Sequence, residues 1–189
     1  MKIKLLGTLA LSSALLLTAC GQEDNKKEEN NKVSKVNENK PTFKDNTLVL
    51  DQATLKIEDI SIVHDKDANE DLLAFKYEVK NKSDSQEITP LNVWIAAFEA
   101  IQDDEDTESK LEVGVTPNTG KYESWSEHSM DTIKENGSAK GIITYTLKTK
   151  NDVLLKAKQG VNGKDLGQKR IKIDDLKRED YSLTQDIAK

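Results

Sequence analysis

Residues 72–81 read LLAFKYEVKN, and their side chains divide by parity. In an extended chain successive side chains point to opposite faces. Leu73, Phe75, Tyr77 and Val79 therefore share one face, while Ala74, Lys76, Glu78 and Lys80 share the other. That division is the mark of a strand half-buried against a core. The preceding run, TLKIEDISIV (residues 54–63), alternates as Leu55 and Ile57, then as Ile60 and Ile62. One residue is inserted near Glu58-Asp59, and a β-bulge there would restore the inward face.

Outward from this pair the period of two recurs at Ile143, Tyr145 and Leu147, at Val153, Leu155 and Ala157, and at Ile171 and Ile173. Turn-forming residues separate the runs at Asn81-Lys82-Ser83-Asp84, Asn136-Gly137 and Asn162-Gly163. The expected fold is all-β, an antiparallel β-sandwich of about seven strands. The stretch LNVWIAAFEAIQDDED (91–106) fits less well. Read as a strand it is apolar on both faces, Val93, Ile95, Ala97 and Ile101 against Trp94, Ala96, Phe98 and Ala100. A central strand is the expectation over 91–102, with a short buried helix as the alternative, because Ala-Ala-Phe-Glu-Ala favours helix by propensity.

The chain begins differently. Lys2 and Lys4 precede an apolar run, Leu5 to Ala19. Fifteen helical residues span roughly 22 Å, short of the ~30 Å hydrocarbon core, so the run reads as a secretory signal and not as a spanning helix. The chain has a single cysteine, Cys20, which excludes an internal disulfide. Leu17-Thr18-Ala19-Cys20 resembles the lipobox of bacterial lipoproteins. The resemblance implies a diacylglyceryl thioether on Cys20 and a cleavage that leaves Cys20 as the new first residue. More than one acyl chain is needed for durable attachment, at ~0.8 kcal/mol per buried methylene.

The segment from Gly21 to Asn46 carries six lysines and six acids, with only Val33, Val36 and Phe43 apolar. Such a composition cannot offset its conformational entropy and predicts a disordered tether. Twenty-six residues of coil would span roughly 28 Å, or about 86 Å when stretched. The expected organisation is a lipoprotein signal at 1–19, lipidated Cys20 and tether at 20–46, a sandwich at 47–174 and a tail at 175–189. The closing segment DDLKREDYSLTQDIAK (174–189), which contains the tail, reads as a frayed helix outside the domain.

Charge follows the same divisions. The whole chain is −6, the signal holds +2 and the tether is neutral, so residues 47–189 carry −8. An acidic domain without a basic stripe excludes nucleic acid as a natural partner. It is repelled by anionic surfaces and favours a protein or a cationic partner.

LLAFKYEVKNKSD, ITPLNVW and AAFEAIQDDED together resemble a domain of unknown function found in small Gram-positive lipoproteins. An apolar strand ending in Asn-Lys-Ser and a later strand running into Gln102-Asp103 carry the likeness. It implies an immunoglobulin-like sandwich over most of Leu55 to Ile173 and implies no reaction, because fold does not fix function.

Chemistry-bearing residues are few. His64 and His128 lack a partner cysteine or a Gly-x-Ser-x-Gly elbow, and no three- or four-ligand zinc pattern accompanies them. Asp65, Asp67, Asn69 and Asp71 repeat the first spacings of a calcium loop, but Glu70 replaces the glycine and Lys76 the final glutamate. A charged hairpin is the expected reading, as is a solvated loop for Asp103 to Asp106. Asn81-Lys82-Ser83 and Asn136-Gly137-Ser138 read as turns rather than glycosylation acceptors. No catalytic residue, cofactor or metal site is expected.

In YESWSEHSM, Tyr122 and Trp125 stand alone among polar residues. They either cap one end of the sandwich or present an aromatic patch, and the second makes them the candidate partner-binding residues. The resulting expectation is a non-enzymatic binding module, tethered to the outer face of the cell membrane through Cys20. A small-solute receptor and a lipid-anchored enzyme or enzyme accessory are the alternatives. A deep apolar cavity with convergent polar groups would favour the receptor, and clustered acids of raised pKa the enzyme.

Overall fold

The computed structural model describes residues 40–84, 87–104 and 106–188. The signal, Cys20 and most of the tether therefore lie outside the described residues. Strands β1 (Thr42–Lys44), β2 (Thr47–Val49), β3 (Ala53–Asp65), β4 (Glu70–Asn81) and β7 (Ser138–Thr146) form one sheet in that order. Strands β6 (Glu108–Lys110), β5 (Phe98–Asp103), β8 (Val153–Lys158) and β9 (Asp165–Ile171) form the other. The two sheets make the expected β-sandwich. The face predicted from LLAFKYEVKN is the core face, with Leu73, Phe75, Tyr77 and Val79 all fully buried. The register between β3 and β4 shifts between Ile57 and Asp59, where the extra residue predicts a bulge.

Three boundaries differ from the sequence expectation. Phe43, assigned to the tether, lies in the core edge-on to Phe98 at 5.1 Å. It is held there by a hairpin whose two loop residues, Asp45 and Asn46, both adopt positive φ, the requirement of the tight turn matching strand twist. The domain thus starts by Thr42, not at 47. Residues 91–102 are divided: helix α1 (Pro90–Ala97) runs directly into β5. Thr89 caps α1 by accepting from the Asn92 amide at 3.1 Å, and Pro90 occupies the first turn, where its missing N–H costs nothing. The apolar residues on both faces belong to a buried helix followed by a strand.

The tail is the third difference. Strand β10 (Arg178–Tyr181) pairs in parallel with the second half of β3, along the edge whose first half takes β2. A short helix, α3 (Leu183–Ile187), follows it. Residues 175–188 are therefore built onto the sheet rather than frayed. No helix among the described residues is long and apolar enough to cross a membrane.

Candidate functional site

The outer face of the first sheet is not uniformly polar. Val63, Leu72, Ala74 and Ile142 point outward and need cover, and the turn Gly120–Tyr122 with helix α2 (Glu123–Ser126) supplies it. Tyr122 sits in this second cluster at 1% exposure, its ring edge-on to Tyr181 at 5.7 Å. Its hydroxyl donates to Glu179 at 3.0 Å. Trp125 packs half-buried at the margin, with the Lys140 ammonium 4.8 Å from its ring centre. Of the two readings of this pair, packing holds for Tyr122, which covers the sheet face rather than an end of the sandwich and is thereby corrected as a partner-binding candidate. The signal was present in β4, where Leu72 and Ala74 interrupt an otherwise charged face.

Carboxylates join the tail to this face. Glu179 accepts from Lys121 at 2.7 Å, from Lys177 and from Tyr122. The two ammonium groups, Lys121 foremost, outweigh desolvation and hold its carboxyl down at about 2. A carboxyl whose folded pKa lies below its unfolded value, here 4.5, adds stability that is complete above 4.5 and vanishes as pH falls through about 2. Amide protection of β10 is therefore expected to fall across that window in hydrogen exchange, and Glu179→Gln to flatten the dependence. Protection of β10 that tracks pH identically in parent and variant would contradict this role.

The calcium-like residues are spent in the same way. Asp65 accepts from the Asp67 and Ala68 amides at 2.9 and 3.2 Å, and Asp71 pairs with His64 and Arg178, each at 2.9 Å. Asp67 accepts from Ser182 at 2.9 Å and from the Thr184 hydroxyl at 2.6 Å, fastening α3. Asp103 and Asp104 join loop contacts through their backbone, Asp103 O accepting from Asn151 and Asp104 N–H donating to Thr107. His128 is exposed and pairs with Asp131, which raises its pKa. Among the described residues no group of three or more His, Cys, Asp or Glu is placed to hold a metal.

The family-like motifs have structural work. Asn81 is fully buried, donates to Ile133 O at 2.8 Å and accepts from the Ser83 amide and hydroxyl, closing the turn after β4. Gln102 accepts from the Lys148 and Thr149 amides and donates to the Thr149 and Asn151 carbonyls. All four capacities of its amide are used, so it fixes the crossover loop between the sheets.

A concave site lies elsewhere, at one end of the sandwich, and sequence reasoning missed it. A cleft of about 430 Å³ opens between the β2–β3 turn, the start of α1 and the β8–β9 turn. Its floor is the margin of the core, Ala53, Ile88 and Val93, with Leu50 and Ala96 at the sides. Asp51, Gln52, Glu87, Asn92 and Gln159 form the polar lining. Gln159 donates from Nε2 to Asp51 Oδ2 at 2.9 Å, clasping a turn of one sheet to a turn of the other. The cleft is at the end where the chain enters, because Thr42 lies opposite Val49 and Leu50 follows directly. It is assembled from two turns and a helix start distant in sequence, and no local motif announces it.

With this geometry the molecule is a two-sheet β-sandwich carrying a terminal helix-lined cleft. The chain belongs to the DUF5067 family, a domain of unknown function, whose profile matches residues 25–159. It is similar to a "putative lipoprotein" from Staphylococcus aureus subsp. aureus NCTC 8325, at 30% identity and a TM-score of 0.70, over 75% of this chain and 97% of that one. It is also similar in fold to a protein from Enterococcus faecalis, at 14% identity and a TM-score of 0.55, over 74% of this chain and 99% of that one. A comparison with curated proteins gives no match.

Proposed function

We propose that the protein is a lipoprotein anchored through Cys20 on the extracytoplasmic face of the cell membrane, and that its sandwich is a non-enzymatic binding module. The observation that carries the binding reading is the cleft. Its volume lies within the ~300–1,000 Å³ typical of small-ligand sites, and although it is open rather than deep it sets five polar side chains around an apolar floor. That combination favours the solute-receptor form of the reading over recognition through Tyr122. The enzyme alternative asks for acids of raised pKa, whereas Asp67, Asp71, Glu99, Glu179 and Asp180 are all shifted downward by the donors around them.

The anchor is tested in cells. Growth with labelled palmitate is expected to label the parent and place it in the membrane fraction. Cys20→Ala should lose the label and stay uncleaved or be released. A variant that still incorporates lipid would exclude Cys20 as the anchor.

A further inference from the structure

We propose that the cleft is a binding site for a primary alkylammonium group, its charge met by Asp51 and Glu87 and its alkyl stem laid over Ile88 and Val93. The proposal rests on the reading of the sandwich as a binding module and names the chemistry its site accepts.

The lining selects by charge. Asp51 and Glu87 are the charged residues of the cleft, and its other polar side chains are neutral amides. An anion would face two carboxylates. A neutral apolar molecule would displace water from these exposed carboxylates and supply no charge in exchange. A cation with an apolar body satisfies both halves of the lining at once. The −8 carried by residues 47–189 also raises the local concentration of cations around the domain.

Geometry narrows the cation. The carboxylates come from different elements, Asp51 from the turn closed by Leu50 N–H donating to Ala53 O at 2.9 Å, and Glu87 from the segment leading into α1. Asn92 and Gln52, also in the lining, carry side-chain amides whose oxygens can accept. Acceptors spread over separate elements match the three diverging donors of an ammonium better than the planar fork of a guanidinium. Gln159 fixes one Asp51 oxygen by its hydrogen bond, which orients the carboxylate. Asn92 and Ala96, four residues apart on α1, lie on one face of that helix and bring a polar and an apolar contact side by side.

Such a group comes from a free amine or from the lysyl side chain of a peptide. Titration calorimetry of the soluble Gly21–Lys189 chain, which retains every described element, separates the two. The probes are pentylammonium, its neutral isostere 1-pentanol, and the peptide acetyl-Gly-Lys-Gly-amide, each at millimolar concentration and low salt. Saturable binding of pentylammonium or of the peptide is expected, with 1-pentanol weaker by about fivefold, the upper end of what an exposed ion pair provides. Asp51→Asn and Glu87→Gln should each weaken the cationic probe by about fivefold and leave 1-pentanol unchanged. The tighter of the two cationic probes identifies the source. Equal binding of pentylammonium and 1-pentanol, no saturable binding of either cation, or cation binding indifferent to both substitutions would overturn the assignment. None of those results bears on the anchor, which palmitate labelling decides separately.

Discussion

Trp94→Ala is expected to destabilise the domain by roughly 3–5 kcal/mol, a large part of the stability of any domain of this size. Trp94 stands on α1 but serves both sheets. Its ring lies 4.9 Å from Phe75 and 4.6 Å from Tyr77 on β4, and 4.6 Å from Phe98 on β5. Its Nε1–H donates to the Tyr145 hydroxyl at 2.9 Å on β7. Truncation removes the side chain that all four residues share and leaves a cavity they cannot close together. Trp94→Phe keeps most of the packing and loses the hydrogen bond, so it should cost about 1–2 kcal/mol. Urea unfolding followed by far-UV circular dichroism measures both. A Trp94→Ala midpoint close to that of the parent would show that α1 is peripheral to the core.

Gly141→Ala carries the second large effect, and its cause is a close approach rather than backbone freedom. Gly141 pairs with Tyr77 across β4 and β7. A methyl group at 141 would sit 2.4 Å from Cζ and 2.6 Å from the hydroxyl of Tyr77. The ring is fully buried and packs on Trp94 at 4.6 Å between ring centres, which limits its retreat. Overpacking at such a site is expected to cost roughly 3 kcal/mol. Combining Gly141→Ala with Tyr77→Leu should recover part of the loss, a coupling between contacting residues that unrelated sites do not show. Equal stabilities of Gly141→Ala and the parent would mean that the Tyr77 ring takes another position.

Much of this core was legible because strand alternation is a local signal. In β4 the apolar and charged residues separate by parity, and in β3 a single surplus residue marks the bulge. Helix α1 was misjudged although its start is written in the sequence: Thr89 and Pro90 are a cap and a first-turn residue. The apolar content on both sides of a hypothetical strand drew the reading away from them. The β1–β2 hairpin was hidden by the polar composition around Phe43, and only the paired positive φ of Asp45 and Asn46 explains it.

The tail and the cleft were illegible for a different reason. Arg-Glu-Asp-Tyr has no apolar alternation, and β10 is retained by partners more than fifty residues away, Glu179 by Tyr122 and Arg178 by Asp71. Tyr122 admits both a packing and an exposed reading because its neighbours in sequence are polar, whereas its neighbours in space are Val63, Leu72 and Ile142. The cleft likewise exists only once the turn at Asp51, the start of α1 and the turn at Gln159 meet.

The central claim is that binding resides in that cleft and not on the Tyr122–Trp125 face. Backbone amide shifts of ¹⁵N-labelled Gly21–Lys189, followed during titration with pentylammonium and with the lysyl peptide, test it most directly. The account predicts saturable shifts concentrated at Asp51–Ala53, Ile88, Asn92–Ala96 and Gln159–Gly160, with the amides of Tyr122, Trp125 and Lys140 unmoved. Shifts centred on Trp125 and Lys140, or scattered evenly over the acidic surface, would contradict it.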